Sequence, residues 1–114
     1  MNQDTEINIF RSLDFIRDNA PLYAKAKSQR IYLEEFRKSK KALLMRQAEI
    51  DGFKTAALQE REAYANESYM QLLSGLMAAV EEEERLRWLI VAAQAKIEAW
   101  RTIEASRRTE AKTL

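Results

Sequence analysis

Four adjacent glutamates, Glu81 to Glu84, are the densest group of carboxylates in the sequence, and such a group suggests a divalent-cation site. Consecutive residues of a helix point about 100° apart, however, so these side chains cannot converge on one ion. The chain has no histidine and no cysteine, which excludes imidazole bases, thiol nucleophiles and the usual zinc sites. We therefore expect no metal and no cofactor, and we interpret the glutamates as a solvated acidic collar.

The sequence also lacks the patterns that activate a nucleophile or hold a phosphate. It contains no glycine-rich phosphate loop, and serines such as Ser39 and Ser74 have no histidine to act as their base. We predict that the protein is not an enzyme, that it has no catalytic or cofactor-binding residues, and that it takes no small-molecule substrate. Binding is the remaining class of function.

Five basic residues form the candidate nucleic-acid face. They lie on one side of a predicted helix, where they could follow a phosphate backbone, and Tyr23 lies on the same side to stack on a base. Lysine and arginine also commonly occupy the solvated side of a helix, opposite its apolar stripe. Both interpretations stay open, and any nucleic-acid binding should be weak. The five residues are Lys27, Arg30, Arg37, Lys38 and Lys41.

A second candidate surface is apolar and lies in the C-terminal third of the chain. Trp88 and Trp100 are twelve residues apart. That spacing places them about 120° from each other on a helix, so at most one can face a single packing partner squarely. We interpret one as core and the other as a contact with a neighbouring helix, a second subunit or a partner protein. The candidate protein interface comprises Leu86, Leu89, Trp100 and Ile103.

Composition predicts the elements that must position these residues. Hydrophobic residues make up 46% of the chain and charged residues 32%, with only two glycines and one proline, which is typical of long amphipathic helices. The fold prediction is all-α: a long antiparallel, coiled-coil-like helical hairpin with two short accessory helices. It forms a single domain, residues 1–114, with helices at about 5–18, 21–51, 56–65 and 67–108 and a frayed C-terminal tail.

Capping and breaking residues set these boundaries. Pro21 should produce a bend at residues 18–21, and Gly52 should stop the second helix because it adopts left-handed backbone angles without strain. The predicted N-caps are Asp4 or Thr5, then Thr55, then Asn66. Nothing interrupts the last helix, which contains no proline and one glycine, Gly75.

Apolar stripes and charge predict how the helices pair. The stripe of the second helix comprises Leu22, Leu33, Phe36, Leu43 and Ile50. The stripe of the last comprises Leu73, Leu76, Val80, Leu86, Ile90, Ala93, Ile97 and Trp100, with Glu83 as its one polar member. Residues 20–51 carry eight basic and four acidic groups, whereas residues 52–84 carry two basic and seven acidic groups. This contrast favours antiparallel pairing of the two helices.

The long helix is also predicted to self-associate, because its apolar arc is wider than one partner covers. A homodimer or higher oligomer, with residues 86–103 at the contact, would bury the remainder. The longest apolar run, residues 88–93, is far shorter than the roughly 20 residues of a membrane-spanning helix. The N-terminal MNQDTEINIF shows no signal-peptide pattern. We expect a cytoplasmic protein that does not contact a membrane.

Three segments resemble a family of small all-helical proteins of tailed bacteriophages and prophages. They are YLEEFRKSKKALLM at residues 32–45, QEREAYA at 59–65 and EEEERLRWLIVAAQAKIEAWRT at 81–102. The likeness covers most of residues 22–105. Members are typically uncharacterised, and their genes lie near those for phage DNA recombination and replication. The resemblance implies a phage origin and the host-cell cytoplasm, and it transfers no binding residues.

Together these features predict a non-enzymatic helical scaffold that acts as a phage accessory factor in DNA recombination or replication. It would act through a protein partner, with direct DNA contact as an open addition. One alternative is an inhibitor of a host nuclease or defence enzyme, in which the acidic residues 60–84 imitate DNA. The other is a virion or assembly component.

Overall fold

The computed structural model describes residues 7–113, which are 93% helical and contain no strand. The helices are α1 (Ile9–Ile50), α2 (Ala56–Ala65) and α3 (Glu67–Thr113). The long helix α1 packs against α3, and the short α2 connects them in sequence. The predicted all-α helical hairpin is therefore confirmed.

The predicted bend at residues 18–21 is wrong, because α1 is one helix of 42 residues that contains Pro21. A proline removes one backbone donor, but its fixed φ angle is compatible with a helix. The residues that follow it, Leu22 to Ala24, supply no glycine or other stop signal. The described residues consequently contain one short accessory helix, α2, where two were predicted.

The first turn of α1 is capped by Asn8. Its Oδ1 accepts a hydrogen bond of 3.1 Å from the backbone N–H of Arg11, which satisfies one of the donors that a helix N-terminus leaves open. The predicted caps Asp4 and Thr5 lie outside the described residues.

The end of α1 confirms the predicted stop at Gly52. This glycine has a φ of 104°, in the left-handed region that side chains disfavour. The N–H of Phe53 donates to the carbonyl of Ala48 at 3.0 Å, and the N–H of Gly52 donates to that of Glu49 at 3.1 Å. This pair of bonds is the Schellman motif, which satisfies the last carbonyls of the helix.

The other two predicted caps are also confirmed. Thr55 Oγ1 accepts from the N–H of Leu58 at 3.2 Å at the start of α2, and Asn66 Oδ1 accepts from the N–H of Ser68 at 2.9 Å at the start of α3. Helix α3 ends later than predicted, at Thr113, because neither glycine nor proline interrupts its last turns.

The chain divides into two compact units. Within the described residues, unit 1 comprises residues 7–24, which include the start of α1, and residues 84–113 of α3. Unit 2 comprises residues 25–83, which are the rest of α1, all of α2 and the first part of α3. The single-domain assignment stays a prediction.

The core of unit 1 is narrow. Its buried residues are Ser12, Leu86 and Ala93. On α3 the inward positions 86, 90, 93, 97 and 100 alternate steps of four and three, the spacing of a helix packed along its length. They are buried or half-buried, as the apolar stripe of this segment predicts.

The core of unit 2 is built largely from alanine. Its buried apolar residues are Ala26, Ala48, Ala63 and Tyr69. Of the predicted α1 stripe, only Leu33 and Phe36 are half-buried, whereas Leu22, Leu43 and Ile50 are 52%, 59% and 70% exposed. The stripe prediction is wrong for those three. Leu22 belongs to unit 1; in unit 2, small residues let the helices approach closely on a different face, which leaves Leu43 and Ile50 exposed.

Within the described residues, no helix combines the length and the apolar character that crossing a membrane requires.

Candidate binding surfaces

The five residues of the candidate nucleic-acid face do not share one environment. Lys27, Arg37 and Lys38 are exposed on α1. Arg30 and Lys41 are partly buried and take part in contacts within unit 2. The structure thus leaves three of the five cations exposed, and one of these, Lys38, pairs with Glu35.

Arg30 is turned into the helix interface, where it meets a carboxylate of α3. Its Nε donates to Oε2 of Glu83 and its Nη2 donates to Oε1 at 3.0 Å, so the contact is bidentate. A third bond of 2.9 Å runs from Nη1 to Oε2 of Glu34. The hydrogen bond to Glu83 is the main factor that raises the pKa of Arg30, while burial opposes the shift. The Glu83 side chain is only 8% exposed, so this pair belongs to the fold and not to a phosphate-binding surface.

Lys41 is held by residues of α2. Its Nζ lies 3.4 Å from Oε2 of Glu60 and 4.7 Å from the centroid of the Tyr64 ring. Hydrogen bonding to Tyr64 is the first cause that raises the pKa of Lys41, with burial opposing and Glu60 adding to the shift. The Tyr64 ring in turn packs edge-on against Tyr69, with centroids 5.4 Å apart. Lys41 therefore anchors α2 to α1.

A groove of about 390 Å³ lies beside these residues in unit 2. It is lined by Arg37, Lys38, Lys41, Tyr64, Tyr69 and Leu73. Cations and tyrosine rings are the side chains that single-stranded nucleic acid uses. Their charge is largely offset locally, because Lys38 pairs with Glu35 at 3.2 Å and Lys41 pairs with Glu60. The groove could contribute only a weak phosphate contact.

The candidate protein interface also divides in two. Leu86 is 3% exposed and Trp100 is half-buried in the inward row of α3, so both belong to the core of unit 1. Leu89 and Ile103 are 41% and 42% exposed. Trp88 is the exposed tryptophan, and the guanidinium of Arg87 lies 4.5 Å from its ring centroid.

Leu89 and Ile103 belong to a second row of residues that the sequence prediction did not identify. We name the row Leu89, Ala92, Lys96, Ala99 and Ile103 the α3 seam; all five residues are exposed. The first four directly precede a residue of the inward row, and Ile103 directly precedes the half-buried Glu104, so the seam lies about 100° around the helix from the hairpin interface. The alternating spacing of three and four residues could have identified this row from the sequence. Two alanines and a lysine make the row less hydrophobic than a usual apolar stripe, so it was not recognised.

Two glutamates of the run Glu81 to Glu84 form ion pairs with arginines. No three metal-binding side chains come together anywhere in residues 7–113. Glu84 pairs with Arg87 at 2.7 Å, and Glu83 pairs with Arg30.

In comparisons with known proteins, the sequence matches no family model, no curated protein and no solved structure. The likeness to small phage proteins stays a prediction from the three segments that carry it.

Proposed function

We propose that this chain is a non-enzymatic helical binding protein that contacts protein partners through the α3 seam. The main support for this proposal is that Leu89, Ala92, Ala99 and Ile103 are exposed on a helix whose adjacent face is already packed. Helices of globular proteins usually show one apolar stripe, so a second exposed row indicates a second packing partner.

The packing of the rest of the molecule supports a binding role. Among the described residues no large side chain is fully buried, and many large apolar residues are more than one third exposed. A hairpin with so thin a core gains stability when further apolar surface is covered. The total absence of histidine and cysteine also supports a role without catalysis.

The proposed setting is phage DNA recombination or replication in the cytoplasm of the host, where the protein would act as an accessory scaffold. The support for this setting is the likeness of residues 32–45, 59–65 and 81–102 to small phage proteins. Protein contact takes precedence over DNA contact in this proposal, because Arg30 and Lys41 are occupied within the fold.

The test is affinity capture from phage-infected cells of the host, with the wild-type chain and two double variants as bait. Leu89→Glu/Ile103→Glu places charge on the α3 seam. Ile31→Glu/Met77→Glu makes the same change at residues that are 44% and 70% exposed in unit 2. We expect the wild type and the unit 2 variant to retain the same partner protein and the seam variant to lose it.

Two results would contradict the proposal. One is a partner that the seam variant retains, which would place the contact elsewhere. The other is recovery of no partner at all, neither another protein nor an untagged second copy of the chain. Circular dichroism of all three baits must show equal helix content, so that a loss of binding is not a loss of fold.

A further inference from the structure

The α3 seam continues beyond its five residues with the same spacing. Arg85 precedes Leu89 by four positions, and Ser106 and Glu110 follow Ile103 by three and then four. All three are exposed. The extended row covers residues 85–110, about 39 Å of helix, and lies entirely in unit 1. Steps of three and four sustained over this length are the pattern by which one helix packs along another.

A groove borders the seam on the side of α1. It has a volume of about 300 Å³ and is lined by Phe15 and Ser12 of α1 and by Leu89, Ala92, Ala93 and Lys96 of α3, with Arg11 at its edge. The small residues Ala92 and Ala93 form the α3 side of the groove. Side chains of another helix could enter here, and the added helix would complete the arrangement of a helical bundle, in which each helix contacts two neighbours.

We propose that the occupant is the α3 seam of a second copy of this chain, antiparallel to the first about a twofold axis near residues 97 and 98. This inference rests on the proposed function in taking the seam as a docking surface, and it names the partner. In this register four pairs of residues face each other, and each pair occurs twice, once on either side of the axis. Arg85 faces Glu110 of the second copy, Leu89 faces Ser106, Ala92 faces Ile103, and Lys96 faces Ala99.

Complementarity of charge and size selects this register. Arg85 meets a carboxylate; a guanidinium has five donors, so it can serve this contact beside those within its own chain. Each apolar residue meets a smaller or larger counterpart, as close-packed helices require. Shifting the pairing by seven residues toward the helix start places Arg85 opposite Ile103, and shifting it the other way places Ala92 opposite Glu110.

A parallel arrangement is disfavoured by the same residues. In register it would stack Arg85 on Arg85, Lys96 on Lys96 and Glu110 on Glu110. Like charges that face each other across a helix pair are destabilising, and the antiparallel register contains none of these three facing pairs. Lys96 can extend its apolar stem along the seam and keep its ammonium group in solvent.

The first experiment is light scattering of the full-length protein at micromolar concentration. We expect twice the monomer mass of 13.3 kDa for the wild type and for Ile31→Glu/Met77→Glu. Leu89→Glu/Ile103→Glu should be monomeric with unchanged helix content. A wild-type monomer would overturn the inference, as would a dimer that the seam variant retains.

Engineered cysteines then test the direction of pairing, since the chain has none of its own. Positions 92 and 103 are about 16 Å apart along one helix, too far for a disulfide within a chain. On oxidation Ala92→Cys/Ile103→Cys should form a covalent dimer, whereas each single variant should not. Efficient dimers of the single variants would show parallel pairing and overturn the register.

Charge reversal provides the third experiment on dimerisation. Arg85→Glu and Glu110→Arg should each weaken dimerisation by roughly 2- to 10-fold, because rim ion pairs contribute little, and the combined variant should recover the wild-type affinity. Additive weakening in the combined variant would contradict the Arg85 to Glu110 pairing. These measurements use the purified chain alone. The chain can therefore prove monomeric while affinity capture still recovers another protein through the seam, or it can dimerise while capture recovers no other protein.

Discussion

The ion pair of Arg30 with Glu83 is the main polar feature at the scale of single residues. Both charges leave bulk water in the interface of α1 with α3, and the side chains are 23% and 8% exposed. Such pairs contribute little net stability relative to apolar residues of similar size, but removing one partner takes the bidentate opposite charge away from the other. The pair instead favours the alignment of α1 and α3 in which these two positions meet.

We predict that Arg30→Met and Glu83→Leu each lower the melting temperature, and that the double variant recovers most of the loss or exceeds the wild type. Thermal unfolding followed by circular dichroism measures this. Arg17→Ala is the control, because its contact with Asp14 at 3.3 Å joins two well-exposed side chains. It should change the melting temperature little. Additive destabilisation in the double variant would show that packing, not charge compensation, governs this position.

The two glycines show how the same residue acts differently in different elements. Gly52 ends α1 with a φ of 104°, whereas Gly75 lies inside α3, and a Cβ at Gly75 would meet no atom within 4 Å besides the adjacent backbone of its own helix. We predict that Gly52→Ala costs about 1–2 kcal/mol of unfolding free energy and that Gly75→Ala adds about 1 kcal/mol. Urea unfolding checks both. Equal signs for the two changes would contradict the assigned helix end.

Pro21 lies inside α1 and removes one backbone hydrogen bond from it. We predict that Pro21→Ala stabilises the protein by up to about 3 kcal/mol, because the new N–H can donate to the carbonyl of Arg17. Leu22→Ala is a control in the same turn; its side chain is 52% exposed, so a small change is expected in urea unfolding. Marked destabilisation by Pro21→Ala would mean that the fold depends on the local geometry that proline imposes.

Nucleic-acid binding depends on the charge of the whole molecule, and the net charge of this chain is only +1. If the candidate face of α1 carries the site, its three exposed cations, Lys27, Arg37 and Lys38, limit the slope of log affinity against log salt to about 2–3. Fluorescence anisotropy with a single-stranded oligonucleotide should show weak binding that Arg37→Glu/Lys38→Glu removes. Arg108→Glu/Lys112→Glu makes the same charge change at exposed residues of α3 and should retain the binding. Tight binding at high salt would contradict this interpretation.

Local signals determined most of the helix boundaries in advance. The left-handed requirement at Gly52 and the caps at Thr55 and Asn66 involve residues within one turn of each other, so the sequence alone identifies them. The low glycine and proline content likewise predicts an all-α chain. Pro21 misled the prediction because a single missing donor is a weak signal, which the continuous helix on both sides outweighs.

Tertiary structure decided which face of each helix is used. Hydrophobicity ranked Leu22, Leu43 and Ile50 as core, yet α1 turns Ala26, Ala48 and Arg30 inward. Whether a lysine or arginine faces solvent depends on a residue distant in sequence, as Glu83 is from Arg30. The α3 seam was similarly hidden, because its alanines matter for close approach and not for hydrophobicity. Helix existence follows from neighbours in sequence, whereas the choice of face follows from neighbours in space.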